Sequence, residues 1–243
     1  MTSPAMAEVL RLLLNDRLEA ADEVVAAGAS ALGVDSLAVS LVTGSGTTEL
    51  LWCSAEIGRH FEDLQLTLGQ GPGHDALRTG GLVTIADLAR VRQDRWPVLA
   101  AEAPDLDVRA VFCFPMGLGA LRVGVMTGVR SIPGPMAGQQ VEDALALASM
   151  LTTRCLNGTD HATDLLPFAP PHTLQHAVIH QATGMLSVQL ALPLTQALLR
   201  LRAHAYGMSR PITEVAQDIV DRRLRLDIGT NGHAPTPPAA DKE

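Results

Sequence analysis

The chain has 243 residues and a formal net charge of −8, from 18 basic and 26 acidic side chains. A chain of this length suits two small domains, and its negative balance gives no overall field that attracts nucleic acid or an acidic membrane. Three widely separated cysteines, Cys53, Cys113 and Cys155, exclude a disulfide framework and favour reduced thiols. We expect a cytoplasmic protein with no signal peptide or membrane span, because the first residues carry neither a basic leader nor a long apolar segment.

The charge is divided unevenly along the chain. Residues 1–169 contain 11 arginines and 20 acidic residues, a net charge of −9. Residues 170–243 contain 7 basic and 6 acidic residues, a net charge of +1. Two parts of such different charge are expected to meet different partners.

The sequence of the first part of the chain predicts a helix followed by strands. One long amphipathic helix is predicted over 6–32, because leucine, valine and alanine recur there at helical spacing. Five short β-rich segments follow, separated by glycine, aspartate and proline, and Gly44-Ser45-Gly46 is predicted to form a turn. The segments are DSLAVSLVTG, TELLWCS, GLVTIADL, RAVFCFPMGLG and LRVGVMTGV. Strands interspersed with helices predict an α+β domain.

A second amphipathic helix, predicted over 139–155, closes this first domain, which we place at residues 1–156. Its apolar stripe consists of Val141, Leu145, Ala148, Leu151 and Cys155. The segment that follows, NGTDHATDLLPFAPP at 157–171, is rich in prolines and turn formers and is predicted to be a linker.

Residues 172–228 follow a helical pattern throughout. Helices are predicted over 173–190, 194–206 and 211–224, with Pro193 and Pro211 at helix starts, and together they form a small all-α domain. The tail, residues 229–243, is rich in proline and polar residues and is expected to be disordered.

The first of these helices contains an unusual stretch, HQATGMLSVQL at 180–190, which has Gly184 in mid-helix and no charged side chain. A glycine inside a helix costs about 1 kcal/mol relative to alanine. Something should compensate for that cost, either close packing of a second helix or a ligand that approaches the backbone.

Enzyme motifs are missing from the sequence. GLGALRVG fails the dinucleotide pattern, because Arg122 stands where the third glycine belongs, and His74-Asp75 has no neighbouring serine or cysteine. His172, His176 and His180 recur at helical spacing, but the outer two would be about 12 Å apart and cannot share one metal ion. We therefore expect no catalysis, no cofactor and no metal.

One stretch of the first domain, LTLGQGPGHDALRTGGLVTIADLARVRQDRWPVLA, resembles the GAF domains of actinobacterial regulators, and the resemblance covers about residues 6–156. It implies an antiparallel sheet flanked by helices, with an unknown small molecule bound beside the sheet, and Asp75 and Trp96 as candidate ligand contacts. Their simpler role is turn architecture and core filling. Gly73 departs from the family, since many relatives carry cysteine there, and this removes any thiol-based sensing at that turn. The matching residues are Gly69, Gly71, Pro72, Asp75, Ala76, Leu77, Arg78, Thr79, Gly80, Asp87, Leu88, Arg95, Trp96 and Pro97.

The last domain resembles the ANTAR domain, a three-helix RNA-binding module of transcription antiterminators, over roughly 172–225. The order and spacing of the matches are kept across all three helices. They are Ile179, Gln181, Ala182, Gly184, Met185, Leu186, Ala197, Leu198, Leu201, Arg202, Ala205, Ile212, Val215 and Ala216.

Together the two resemblances identify the chain as a GAF-ANTAR transcription antitermination regulator, in which a sensor domain controls binding to tandem hairpins in nascent leader RNA. Thr183 departs from the family, because many relatives carry lysine in this segment, and the lost phosphate contact would weaken RNA binding. Gly184 would present a small surface to RNA or to a second helix. The RNA contacts expected from the resemblance and the residue types are Gln181, Ala182, Thr183, Gly184, Arg200, Arg202, Ala205, Tyr206 and Arg210.

Two alternatives stay open. A GAF signalling module can carry a helical domain that binds a protein or DNA, and a GAF-fold reductase would use clustered cysteines, which the wide cysteine spacing disfavours. We also expect a homodimer that pairs through the helices over 6–32 and 139–155, because their apolar stripes exceed what one sheet face needs.

Overall fold

The computed structural model describes residues 2–14, 21–43, 48–92, 94–102, 106–157 and 177–226. The chain divides into two compact units, with the boundary between Ala177 and Val178. We refer to them as the N-terminal unit and the C-terminal unit. Several predictions lie outside the described residues: the turn at 44–46, the linker at 157–171 apart from Asn157, the histidines His172 and His176, and the tail at 229–243.

The N-terminal unit is built on one five-stranded antiparallel sheet, and all five predicted strands are confirmed. Its strand order is β2-β1-β5-β4-β3. Strand β1 pairs with β2 and β5, and β4 pairs with β5 and β3, each time antiparallel. The strands are β1 (Ser36–Val42), β2 (Thr48–Cys53), β3 (Val83–Ile85), β4 (Ala110–Leu118) and β5 (Leu121–Arg130).

Helices cover both faces of this sheet. On one face, Phe112, Phe114 and Met126 of β4 and β5 pack into a core with three helices, α1 (Pro4–Leu14), α2 (Ala21–Leu32) and α6 (Gly138–Asn157). On the other face, Val111 and Cys113 pack into a second core with the elements between β2 and β4. These are α3 (Glu56–Leu68), α4 (Pro72–Thr79), a short 3-10 helix (Leu88–Arg90) and α5 (Pro97–Glu102). The sheet is therefore the middle layer of three.

Helix α3 lies unusually close to the sheet. A Cβ atom at Gly58 would be 2.2 Å from Ser36 Oγ of β1, so only glycine permits this approach. The Ser36 hydroxyl is fully buried there and donates a hydrogen bond to the Ala55 carbonyl, 3.2 Å away.

The single helix predicted over 6–32 is wrong. The described residues form two separate helices, α1 and α2, that pack against each other, which one continuous helix cannot do. The intervening sequence, NDRLEA, begins with Asn15 and Asp16, residue types that favour the ends of helices over their interiors. Periodicity alone could not show the break, because both helices bury apolar residues at the same spacing.

Helix α6 matches its predicted bounds closely, but its buried stripe is rotated. Ala144, Leu147, Ala148, Leu151 and Cys155 pack in the core, whereas Leu145 is 48% exposed. The apolar stripes of α1, α2 and α6 are thus largely used against the sheet and against one another. Leu14 of α1 (60% exposed) and Leu145 of α6 are the large apolar side chains that these helices still expose, and pairing of two copies through them stays a prediction.

The C-terminal unit contains three helices, α7 (Ala177–Leu190), α8 (Leu194–Gly207) and α9 (Ile212–Val220). Pro193 and Pro211 stand at the N-caps of α8 and α9 as predicted. Helix α9 ends four residues earlier than expected, because the chain leaves the helix through Arg222, which has a φ of 60°.

Within the described residues no single helix is long and apolar enough to cross a membrane. Helices α7 and α8 reach that length and composition only when they are taken together, and they meet at 108°.

A matched pair of leucines on α6 tests the corrected stripe. Leu147→Ala should lower the free energy of unfolding by about 2–5 kcal/mol, because Leu147 is only 2% exposed and its loss leaves a cavity. Leu145→Ala should change it by less than about 0.5 kcal/mol. Urea titrations of the two variants provide the measurement, and equal losses would contradict the packing described here.

Candidate functional site

A row of buried polar groups runs under α3 in the N-terminal unit. Ser40 of β1 donates a hydrogen bond to the Glu62 carboxylate (2.9 Å), and the Gln65 amide donates another to it (3.0 Å). The amide oxygen of Gln65 in turn accepts a hydrogen bond from the backbone N–H of Gly73 (2.8 Å). The row links the sheet, α3 and the first turn of α4, and all three side chains are buried.

Gln65 fills the room beside the glycine-rich turn. A Cβ atom at Gly71, where φ is 141°, would be 2.5 Å from Gln65 Oε1, and one at Gly73 would be 3.1 Å from the same atom. A cysteine at position 73 would therefore meet the Gln65 side chain.

Sequence analysis did not single out Glu62 or Gln65. Both lie on the buried face of α3 together with Phe61 and Leu66, where the helical pattern leads one to expect apolar residues. The sequence did contain a signal for this row, namely an acid and an amide side chain three positions apart on an otherwise apolar helix face.

The two candidate ligand contacts of the N-terminal unit hold its structure together. Asp75 forms ion pairs with Arg78 (3.0 Å) and Arg95 (3.2 Å), which tie α4 to the segment before α5. Trp96 is only 3% exposed and packs in the core, and the Arg95 guanidinium lies over its ring at 4.2 Å. In these contacts Asp75 connects two segments of the turn region, and Trp96 fills the core.

The thiols of the three cysteines are poor nucleophiles. Burial raises the pKa of Cys113, and the nearby Glu62 charge raises it further. Burial also raises the pKa of Cys53, and that of Cys155 to about 11. A protonated thiol neither attacks nor binds metal readily, so these side chains do not favour the reductase alternative.

Part of the expected RNA surface lies inside the C-terminal unit. Ala182 and Ala205 are fully buried. Thr183 is 7% exposed, and its hydroxyl donates a hydrogen bond to the Ile179 carbonyl one turn earlier (2.7 Å). These three side chains are therefore part of the helix packing, and of the small uncharged surface expected at 182–184 only Gly184 lies beside open space.

Gly184 itself lies beside open space. A Cβ atom there would meet no heavy atom within 4 Å, so no second helix of the C-terminal unit explains the glycine. Gln181, one turn earlier, is exposed. The packing explanation for Gly184 is therefore wrong within this unit.

The arginines of the C-terminal unit fall into two groups. Arg210 forms ion pairs with Asp218 (2.8 Å) and Glu214 (3.5 Å), and Arg223 pairs with Asp218 (2.9 Å) and Asp221 (2.7 Å). Two acidic side chains of α9 therefore hold the Arg210 guanidinium, which is 36% exposed. Within the described part of the chain, the side chains of the other four form no ion pair or hydrogen bond; these are Arg200, Arg202, Arg222 and Arg225.

The N-terminal unit shows the opposite pattern. At least nine of its ten described arginines bond to acidic side chains or backbone carbonyls. Arg130 is typical, since it donates hydrogen bonds to the Gly33 and Leu32 carbonyls at the end of α2. Free guanidinium groups are thus concentrated in the C-terminal unit.

Removing Gln65 tests the buried polar row. Gln65→Ala should lower the free energy of unfolding by about 2–4 kcal/mol, because it leaves the Gly73 N–H and a Glu62 oxygen without this partner and opens a cavity. His60→Ala, at an exposed position of the same helix, should have little effect. Thermal melts of both variants and the parent measure this difference in stability. A Gln65→Ala protein as stable as the parent would show that the buried polar row adds nothing to stability.

Solved structures share the fold of the N-terminal unit. A GAF domain from a phosphoenolpyruvate-protein phosphotransferase of Coxiella burnetii matches with a TM-score of 0.52 at 18% identity, covering 66% of this chain and 99% of that chain. The GAF domain from an Acinetobacter phosphoenolpyruvate-protein phosphotransferase matches with a TM-score of 0.51 at 10% identity, covering 65% of this chain and 93% of that chain. No protein-family model matches the sequence, and a search of curated proteins finds no significant relative. The likeness establishes a GAF fold, an antiparallel five-stranded sheet flanked by helices.

Proposed function

We propose that the chain is an RNA-binding transcription antitermination regulator, in which the GAF unit is a sensor and the C-terminal unit binds hairpins in nascent RNA. The observation that carries this proposal is the group of arginines without an acceptor in the C-terminal unit, Arg200, Arg202, Arg222 and Arg225. The resemblance of this unit to the ANTAR domain supplies the kind of RNA.

The charge of the C-terminal unit supports a polyanionic partner. Its described residues contain six arginines and three acidic side chains, a net charge of +3 in a chain whose total is −8. Helices α7 and α8 contain no acidic residue at all. Guanidinium groups that are free of internal acceptors are available to phosphate oxygens, and each phosphate neutralised releases counterions into solution.

The same unit also carries groups suited to bases. Tyr206 is 51% exposed near the end of α8 and offers a ring on which an unpaired base can stack. Gln181 is exposed on α7 and can form hydrogen bonds with a base edge. Loop bases of RNA hairpins are the usual targets of such contacts.

A homodimer remains part of the proposal, because paired hairpins call for paired binding domains. The helices first considered for the interface use their apolar stripes in the core. Exposed apolar side chains are available instead on α7 and α8, where Val188 is 86% and Leu199 64% exposed. A small molecule in the GAF unit likewise stays a proposal.

The full chain should bind a fluorescein-labelled RNA of two short hairpins more tightly than a polyuridine strand of equal length. Fluorescence anisotropy titrations at 50 and 200 mM salt give the affinity, which should fall steeply with salt because several arginines contact phosphates. Gly184→Ala should weaken this binding, since the added methyl group blocks close approach. The same variant should be more stable than the parent by about 1 kcal/mol, because alanine is the better helix former and the methyl group meets no neighbour.

Gly138→Ala is the matched control, because Gly138 of α6 also lies beside open space but belongs to the N-terminal unit. It should leave RNA binding unchanged. Equal binding of hairpin and polyuridine RNA would contradict the proposal and favour a protein or DNA partner for the helical unit. Parent-like RNA affinity in a stabilised Gly184→Ala protein would remove Gly184 from the interface.

A further inference from the structure

The chain leaves α9 through a short segment that is rich in arginine. We call residues 221–226 the basic turn, because they contain three arginines and one acid, a net charge of +2. The Arg223 guanidinium binds Asp218 (2.9 Å) and Asp221 (2.7 Å), the two acids at this end of α9. Arg222 and Arg225 are exposed, and no described residue accepts a hydrogen bond from either side chain. Two positive charges of the basic turn are thus left for a partner.

The backbone of the basic turn is held at both ends. The N–H groups of Arg222 and Arg223 donate hydrogen bonds to carbonyls in the last turn of α9 (3.0 and 2.8 Å). At the other end Leu226 is buried, and its carbonyl accepts a hydrogen bond from the Gln189 amide of α7 (2.6 Å). The arginines are therefore carried by a fixed backbone.

The end of α9 does not itself require Arg222 and Arg225. Basic side chains often follow a helix because they can bond to its last carbonyl groups. Here the carbonyls of Gln217, Asp218 and Ile219 already accept backbone N–H groups of the basic turn. Arg222 also has a left-handed φ of 60°, a conformation that is less favourable for arginine than for glycine. Capping of α9 therefore does not explain the two side chains.

The position of the basic turn suits a phosphate backbone. Exposed guanidinium groups bind phosphate oxygens through paired hydrogen bonds. The turn contacts α7 at Gln189, which lies eight residues after Gln181, or about 12 Å along the helix axis. Phosphates follow one another along a nucleic-acid strand at intervals of a few ångström, so one hairpin is long enough to reach both places.

We propose that the basic turn binds phosphates of the hairpin stem through Arg222 and Arg225. It is a second RNA contact, separate from the helical face that carries Gln181, and it acts without regard to sequence. This inference rests on the proposed RNA-binding function and assigns part of the affinity to the segment after α9.

The experiment uses the full chain and the fluorescein-labelled two-hairpin RNA. A protein with both Arg222→Gln and Arg225→Gln should bind this RNA more weakly at 50 mM salt. Its further loss of affinity between 50 and 200 mM salt should be smaller than the parent's by roughly tenfold, because two phosphate contacts are gone.

The matched control removes two arginines from the N-terminal unit, Arg90→Gln together with Arg92→Gln. These side chains are 87% and 84% exposed, and their loss changes the charge of the chain by the same amount. The control protein should bind RNA with the affinity and salt dependence of the parent.

Neutral linkages in the RNA locate the contact. Methylphosphonate linkages in the two stems should weaken binding by the parent and flatten its salt dependence. The double variant should lose nothing further with this RNA, because its stem contact is already missing. The same linkages in the loops should weaken both proteins equally.

Stability separates binding from folding. Arg222→Gly should raise the melting temperature, because glycine adopts the left-handed conformation without strain. The same variant should flatten the salt dependence of RNA binding by about one phosphate contact. A structural role of Arg222 would instead lower the melting temperature.

Three results would overturn the inference. If the double variant has the affinity and salt dependence of the parent, the basic turn does not contact RNA. If the control loses as much as the double variant, only the overall charge matters. If linkages in the loops rather than in the stems reproduce the loss, the turn does not bind the stem. Failure of the parent to bind hairpin RNA would refute the proposed function and this inference with it, an outcome that appears before any variant is made.

Discussion

The alternation of side chains along β4 is the constraint on which the N-terminal unit depends. Phe112 and Phe114 point to one face of the sheet and Val111 and Cys113 to the other, and all four are buried. Because the period of a strand is two residues, a shift of one position would exchange the contents of the two cores. Antiparallel pairing with β5, from Ala110 opposite Arg130 onward, fixes this register. Helices on both faces are then required, since neither face can be left to water.

The sequence specifies the elements of this fold better than it specifies how they meet. Strand patterns with clear turns between them are local signals, and all five were predicted correctly. The separation of α1 from α2 and the exposure of Leu145 depend on which helices pack against each other. The sequence of one helix is compatible with several choices of buried face, so it does not decide this packing. The Glu62–Gln65 row was missed for the same reason. Polar residues on a buried face become intelligible only when Ser40 and the Gly73 N–H are brought to them by the sheet and by α4.

The two units treat the same residue type in opposite ways. In the N-terminal unit, arginines connect segments of the fold through ion pairs, and Asp75 and Asp87 each bind two guanidinium groups. In the C-terminal unit, Asp218 also holds two, yet four further arginines form no ion pair with any acid between residues 178 and 226. Composition alone cannot separate these roles, since every positive charge but one in the chain is an arginine. What separates them is the local supply of carboxylates, which α7 and α8 lack entirely.

Two costs in the C-terminal unit have no compensation inside it. Gly184 weakens α7 although an alanine side chain would fit there. The Nε atom of Arg202 is buried and has no hydrogen-bond acceptor among the described residues. Each is unfavourable for a unit of three short helices, which has little stability to spare. Local rules are most often broken where a protein binds something, because the compensating contact is then supplied by the partner. Gly184 leaves the backbone of α7 open to close approach, and a partner that approaches there would offset the helical cost of the glycine.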